Sequence, residues 1–155
     1  MQKIATDSLV VEFFIQDSEN EFTDIKRRLL GGADLRYTVV SSKKYGNIYF
    51  ALGAYTESVE YTTVIDPKES NIRLGSYIGY KFVFDEDSRL DYMGYYQPKL
   101  DDFADYYSSQ SLSLQVHLFL KIFLKVGVSF IHDSEPAIGI KKDDFQQTNT
   151  LVWNF

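Results

Sequence analysis

The sequence predicts an all-β fold, an antiparallel up-and-down transmembrane β-barrel of about eight strands in a single domain over residues 1–155. Apolar and polar residues alternate along most of the chain, as in strands with two different faces. Aromatic residues make up 16% of the chain although the mean hydropathy is -0.23, so rings coexist with many polar groups. No run approaches the ~18 consecutive apolar residues of a membrane-spanning helix, whereas barrel strands hide their hydrophobicity in every second residue.

The first two strands follow from β-branched and aromatic residues at alternate positions. They are predicted at about Ser8 to Asp17 and Asp24 to Val40. On the apolar face lie Leu9, Val11, Phe13 and Ile15, then Leu29, Ala33, Leu35, Tyr37 and Val39. On the polar face lie Glu12 and Gln16, then Arg28, Asp34, Arg36 and Thr38. Gly31 and Gly32 are expected to relieve crowding where a small barrel bends.

The third and fourth strands are predicted at about Asn47 to Tyr61 and Ser70 to Phe84. In the third, Ile48, Phe50 and Leu52 oppose Asn47, Tyr49 and Glu57. In the fourth, Ile72, Leu74, Ile78, Tyr80, Phe82 and Phe84 oppose Asn71, Arg73, Tyr77 and Lys81. A helix cannot produce this period of two.

The fifth and sixth strands are predicted at about Arg89 to Leu100 and Ser109 to Lys121. The fifth alternates Leu90, Tyr92 and Tyr96 with Asp91, Gln97 and Lys99. The sixth sets Leu112, Leu114, Val116, Leu118 and Leu120 against Ser111, Ser113, Gln115, His117 and Lys121. Pro98 falls near a strand end, where its missing N–H donor is tolerated.

The seventh and eighth strands are predicted at about Leu124 to His132 and Phe145 to Phe155. The seventh alternates Leu124, Val126, Val128 and Phe130 with Lys125, Gly127 and Ser129. In the eighth, Leu151, Trp153 and Phe155 alternate with Thr150, Val152 and Asn154. An alternating last strand that ends on Phe resembles the C-terminal assembly signal of bacterial outer-membrane barrels.

The links between strands alternate in length. Short links are predicted at Ser42 to Tyr45, Asp85 to Ser88 and Ile122 to Phe123. Longer ones are predicted at Ser18 to Thr23, Thr62 to Glu69, Asp101 to Ser108 and Asp133 to Asp144. Outer-membrane barrels have short periplasmic turns and longer outer loops, so this asymmetry is typical of them. Aromatic residues near the strand ends would then form interfacial girdles: Tyr55, Tyr61, Tyr80, Phe84, Tyr92, Tyr96 and Trp153. The alternative is that aromatic residues simply favour strands.

Charge and cysteine content restrict the function classes. A net charge of -6 with scattered Lys and Arg opposes nucleic-acid binding, because no basic stripe is available to neutralise phosphates. Without cysteine the chain has no disulfide, thiolate nucleophile or zinc-thiolate site. The segment after Met1 lacks the order of a secretion signal, so an exported protein has lost its signal or this chain is a fragment.

Two stretches resemble a known family: Tyr96 to Tyr106 (YQPKLDDFADY) and Pro136 to Asp143 (PAIGIKKD). Both are similar to the C-terminal half of the salt-induced outer-membrane proteins, a bacterial family of unknown molecular function. The likeness in strand rhythm extends over Leu29 to Phe155. It implies a signal peptide and several further strands before this chain begins, so the eight strands form a complete small barrel or part of a larger one. It implies no catalytic residues.

The candidate site is the polar face of the strands. If the apolar face meets lipid, the residues facing the lumen are Arg28, Asp34, Arg36, Arg73, Lys81, Asp91, Lys99, Gln115 and Lys125. In a small barrel they would form a charge-paired plug, and in a larger one they would line a cavity. The acidic clusters Asp101, Asp102 and Asp105, and Asp143 with Asp144, could supply oxygen ligands to calcium or to cations that bridge lipopolysaccharide phosphates. Because they lack EF-hand spacing, solvated loops are the expected outcome. His117 and His132 form no predicted site, although Asp133 adjoins His132.

These observations favour an integral bacterial outer-membrane barrel with a structural or envelope-stress role, no catalysis and no cofactor. Its partners would be outer-membrane lipid, lipopolysaccharide and the barrel-assembly machinery, with self-association if the edge strands cannot meet. An outer-membrane pore for small solutes is one alternative. The other is a soluble lipocalin-like barrel that turns its apolar face inward around an apolar ligand.

Overall fold

The computed structural model describes residues 3–6, 8–20, 25–62, 68–85, 88–136 and 139–153. These residues form one antiparallel sheet in which each strand pairs with the next along the chain. The strands are β1 (Lys3–Thr6), β2 (Leu9–Asn20), β3 (Ile25–Ser42), β4 (Gly46–Tyr61), β5 (Lys68–Val83), β6 (Arg89–Pro98), β7 (Tyr106–Phe119), β8 (Ile122–Asp133) and β9 (Asp143–Trp153). No helix able to cross a membrane occurs in these ranges.

The predicted all-β, antiparallel, up-and-down arrangement is confirmed. The eight predicted strands correspond to β2 through β9, and their ends agree within a few residues. The short β1 strand is an addition that the sequence did not predict. Strands β1 and β9 are the two edges of the sheet, and no pairing joins them in the ranges described. The sheet is therefore open, and the closed barrel stays a prediction.

One predicted link is wrong. Ile122 and Phe123 belong to β8, and the turn between β7 and β8 lies at Leu120 and Lys121 instead. Leu120 adopts the left-handed conformation (φ 53°), which tight hairpin turns require and which Gly or Asn usually supplies. The sequence carries no such residue here, so the turn had no recognisable signal. By contrast, the turn at residues 43–45 leads into Gly46 at φ 80°.

The sheet is strongly curved. The guanidinium of Arg28 on β3 lies 5.6 Å from the ring centre of Tyr107 on β7. In a flat sheet these strands would be about 19 Å apart, since neighbouring strands are spaced by roughly 4.8 Å. The Tyr77 hydroxyl of β5 likewise donates a hydrogen bond to Glu12 of β2. Both contacts lie on the polar face, so the sheet curls around that face.

Charged side chains are buried inside this curve and large apolar side chains are exposed outside it. Glu12, Glu57 and Arg73 are 4%, 5% and 9% exposed, whereas Phe13, Leu35 and Ile72 are 47%, 53% and 54% exposed. A water-soluble domain has the opposite arrangement.

Glycine at two inward positions makes room for larger neighbours. A Cβ on Gly53 would lie 2.0 Å from the Ala33 carbonyl oxygen and 2.2 Å from Asp34 Oδ1. A Cβ on Gly32 would lie 2.4 Å from Cβ of Tyr55. The predicted relief of crowding therefore applies to Gly32, while Gly31 has only ordinary contact distances around it.

Candidate functional site

The end of the polar face nearest the longer loops holds six charged residues that contact one another. We call this group the ionic plug: Arg28, Glu57, Glu69, Arg73, Lys99 and Asp105. Glu57 is at its centre, because it accepts hydrogen bonds from Arg28 and, at 2.7 Å, from Nε of Arg73. Three positive and three negative groups balance, which is what buried charges require.

The loop after β6 reaches back into this plug. Asp105 is 3% exposed and pairs with Arg73 at 3.1 Å and with Lys99. The backbone supports this position, since Lys99 N–H donates to the Asp105 carbonyl and Leu100 N–H donates to Ile72. Burial lowers the pKa of Lys99, but its hydrogen bonds to Asp105 and Glu69 outweigh that effect and hold the pKa above its ordinary value. The Lys99 ammonium is therefore charged at neutral pH.

A second group lies nearer the middle of the polar face. We call it the tyrosine cluster: Glu12, Asp34, Arg36, Tyr49, Tyr55, Tyr77 and Tyr95. Glu12 accepts a hydrogen bond from the Tyr77 hydroxyl at 2.5 Å and pairs with Arg36 at 3.2 Å. The rings of Tyr49 and Tyr77 meet edge to face at 6.1 Å, and those of Tyr77 and Tyr95 are 5.4 Å apart.

Three buried polar atoms of the tyrosine cluster have no hydrogen-bond partner among the described residues. They are Oδ1 of Asp34, Nε of Arg36 and the hydroxyl of Tyr55. The Arg36 guanidinium still lies 5.4 Å from the ring centre of Tyr49, so its positive charge is partly stabilised by the ring. Asp34 has no ion pair to a described cation, although it is only 8% exposed.

Each group borders a cavity. A cavity of about 390 Å³ lies at the ionic plug and extends to Tyr61, Asp133 and Asp144. A cavity of about 520 Å³ lies at the tyrosine cluster and reaches Phe14, Met93 and Tyr107. The polar face of the curved sheet is therefore not completely filled by its own side chains.

The strand register places all nine lumen-facing candidates on the polar face. Arg28, Arg73 and Lys99 belong to the ionic plug, and Asp34 and Arg36 to the tyrosine cluster. Lys81 and Gln115 lie in register with Asp91 and Lys125, nearer the short turns and away from both groups. Lys81 and Lys125 are exposed.

Sequence reasoning did not select four carboxylates of these groups. Glu69 was predicted in the link before the fourth strand, whereas it belongs to β5. Glu12 and Glu57 had a signal, because each stands at a polar position of its strand's alternation. Asp105 had none, since its place depends on how its loop folds back.

The predicted C-terminal signal is described in part. Leu151 and Trp153 lie on the apolar face of β9 and are 69% and 65% exposed. Phe155 lies outside the described residues.

His132 has a carboxylate partner other than its sequence neighbour. Its Nδ1 lies 2.7 Å from Oδ1 of Asp143, which stands in register with it on β9. The ring also contacts Tyr106, with ring centres 5.4 Å apart. Asp133 instead lines the cavity at the ionic plug, on the polar face.

The acidic loop clusters do not gather around one point. Asp101 and Asp102 are exposed, as predicted. The predicted solvation of Asp105 is wrong, because its ion pairs with Arg73 and Lys99 bury it in the ionic plug. Asp143 pairs with His132, and Asp144 is exposed. Within the described ranges, no three His, Asp or Glu side chains are grouped so as to hold a metal ion.

A comparison with known families matches residues 2–155 to one described as a protein of unknown function, DUF481. The chain belongs to the DUF481 family. The match begins well before Leu29 and therefore covers all of the strands above. No curated protein and no solved structure matches the chain.

Proposed function

We propose that this DUF481 protein is an integral β-barrel protein of the bacterial outer membrane with a structural role in the envelope and no catalysis. Its strands meet lipid with their apolar face, and charge pairs fill much of the interior. The observation that carries the proposal is the reversal of the two faces: large apolar side chains are exposed while Glu57, Arg73 and Asp105 are buried. Water stabilises the opposite arrangement, with apolar side chains buried, whereas a lipid bilayer stabilises apolar side chains on the outer surface.

Strand lengths agree with this proposal. Strands β3, β4 and β5 have 18, 16 and 16 residues, more than the 9–11 or so that a tilted strand needs to cross the hydrocarbon layer. The excess length lets the strands project beyond the membrane at the loop end.

The predicted girdle position of Tyr55 is wrong, because this residue is 3% exposed and lies on the polar face. Exposed aromatic residues do occur near both ends of the sheet. Near the short turns they are Tyr45, Phe84, Phe119 and Trp153, and near the longer loops they are Tyr96, Phe103 and Phe145. Aromatic girdles at both membrane interfaces have this distribution. Trp153 therefore belongs to the girdle on the periplasmic side.

A pore for small solutes is the second candidate, and the two cavities in the polar interior favour it. The ionic plug opposes it, because Asp105 and its loop occupy the outer mouth. A soluble barrel around an apolar ligand would need apolar side chains inside. The side chains that line the larger cavity are instead mostly tyrosines and charged groups.

The partners follow from the same arrangement. Outer-membrane lipid would contact the apolar face, lipopolysaccharide the projecting loops, and the barrel-assembly machinery the last strand with Leu151 and Trp153. The open edges β1 and β9 would have to be covered, by further strands or by self-association, since unpaired backbone in lipid is costly. The envelope-stress or salt-response role rests on the resemblance to the salt-induced outer-membrane proteins.

The test is whether folding requires detergent or lipid. Circular dichroism would measure β-sheet content, and a change in gel migration on heating would report the folded barrel. We expect both signals in detergent or lipid vesicles and neither in plain buffer. A monodisperse β-protein in plain buffer would overturn the proposal.

A further inference from the structure

The tyrosine cluster surrounds a cavity whose volume, about 520 Å³, is typical of small-molecule sites, which measure roughly 300–1,000 Å³. Five tyrosines line it: Tyr49, Tyr55, Tyr77, Tyr95 and Tyr107. Their rings come from four different strands, so the curvature of the sheet brings them together. If these rings served only to pack the interior, we would expect them to fill this space and not to surround a cavity.

Among the described charged residues that line this cavity, one carboxylate has no ion pair. Glu12 is satisfied by Arg36 and the Tyr77 hydroxyl, and Arg28 is committed to Glu57 of the ionic plug. Asp34 is more than nine-tenths buried, and its Oδ1 has no hydrogen-bond partner in the described part of the chain. A buried anion without a counter-charge is costly, so its surroundings favour a positive charge.

The rings add a second attraction for positive charge. The faces of aromatic rings are negative, and cations bind to them within about 6 Å of the ring centre. Two rings of the cavity already do this for the protein's own cations, since Arg36 lies over Tyr49 and Arg28 over Tyr107. Tyr55, Tyr77 and Tyr95 have no such partner among the described cations.

We propose that this cavity binds a small organic ammonium cation, with Asp34 as its counter-ion and the tyrosine rings against its alkyl groups. The unpartnered Nε–H of Arg36 and the hydroxyl of Tyr55 are then available to an oxygen atom of the same molecule. The combination of rings and a carboxylate favours an alkylated ammonium over a bare metal ion, because alkyl groups make favourable apolar contacts with the rings. The inference rests on the polar face being the interior of the proposed barrel.

Choline is a suitable probe because it combines a quaternary ammonium with a hydroxyl oxygen. Its neutral isostere, 3,3-dimethylbutan-1-ol, has the same shape without the charge. Isothermal titration calorimetry on the protein folded in detergent would compare the two, with sodium chloride at equal ionic strength as a further control. We expect saturable binding of choline, and binding of the alcohol and of sodium at least tenfold weaker.

The matched variants are Asp34→Asn and Asp91→Asn. Both remove a carboxylate from the polar face and keep its shape, but Asp91 does not line the cavity. We expect Asp34→Asn to weaken choline binding at least tenfold and Asp91→Asn to leave it unchanged, with the heat-dependent gel shift of both variants confirming that they fold.

Three outcomes would overturn the inference: no choline binding to the folded protein, equal binding of the neutral alcohol, or equal effects of the two variants. If the protein folds only in detergent and does not bind choline, the cation site is overturned while the outer-membrane proposal stands. If the protein folds in plain buffer and binds choline, the cation site would be supported and the outer-membrane proposal would be overturned.

Discussion

The polar face differs between the middle of the sheet and its C-terminal edge. Along β3 to β5, Asp34, Glu57 and Arg73 are buried by other strands that curl over them. Along β9, Gln146, Thr148 and Thr150 occupy equivalent positions, yet every residue of this strand is exposed. The alternation of residues is similar in both regions. An interior therefore requires a facing wall as well as alternation, and β9 lacks such a wall in the part of the chain that the structure describes.

The difference also bears on the charged residues. Arg73 has three hydrogen-bond partners, which are Glu57, the Gln97 carbonyl and Asp105. Lys125 is an exposed cation on the same face of β8. Removing a charge should consequently have very different effects at these two positions.

The largest effect is expected for Arg73→Met, compared with Lys125→Met as control. Loss of Arg73 leaves Glu57 and Asp105 buried with fewer partners, and breaking a buried pair costs about 3–5 kcal/mol. The free energy of unfolding would be measured by urea titration of the protein in detergent, with the gel shift as readout. Equal losses for the two variants would contradict the distinction between the two regions.

A smaller loss is expected for Gly53→Ala, compared with Gly127→Ala on β8. The new Cβ at position 53 would overlap the Ala33 carbonyl and Asp34, whereas at position 127 the nearest atom is 4.0 Å away. Crowding of this kind costs about 2 kcal/mol. The same urea titration distinguishes them, and an unchanged Gly53→Ala variant would mean that the strands are less closely packed there.

Next comes Tyr77→Phe, which removes the hydrogen bond that ties β5 to β2 through Glu12. A hydrogen bond to a charged group contributes about 1.5 kcal/mol or more. Tyr95→Phe is the control, since its hydroxyl makes no hydrogen bond to Glu12. The account would be contradicted if both variants unfolded at the same urea concentration.

The smallest effect is expected at the sheet edge for Asp143→Asn. The partner of Asp143 is His132, and exposed pairs of this kind contribute about 0.5 kcal/mol. The free energy of unfolding would again be measured by urea titration in detergent. A loss as large as that of Arg73→Met would contradict the distinction between the two regions.

The sequence predicted the strands well because alternation is a local property. Period-two patterns located β2 through β9 and placed Arg28, Asp34 and Arg36 on one face. The pattern does not show how far a sheet curls, so it could not predict that Arg28 would reach Tyr107 four strands away.

Features governed by loops were not predictable in the same way. Asp105 enters the ionic plug through a loop held by backbone hydrogen bonds. The turn at Leu120 places a leucine where Gly or Asn is usual. In both cases the tertiary structure imposes a conformation that the local sequence does not predict.

The most direct test of the central claim measures which face of a strand contacts lipid. Because the chain has no cysteine, single cysteines at Leu112→Cys and Ser113→Cys can carry a fluorophore on opposite faces of β7. In vesicles containing lipids with a quencher on the acyl chain, we predict strong quenching at position 112 and little at position 113. Equal quenching at both positions, or stronger quenching at 113, would contradict the assignment of the apolar face to lipid.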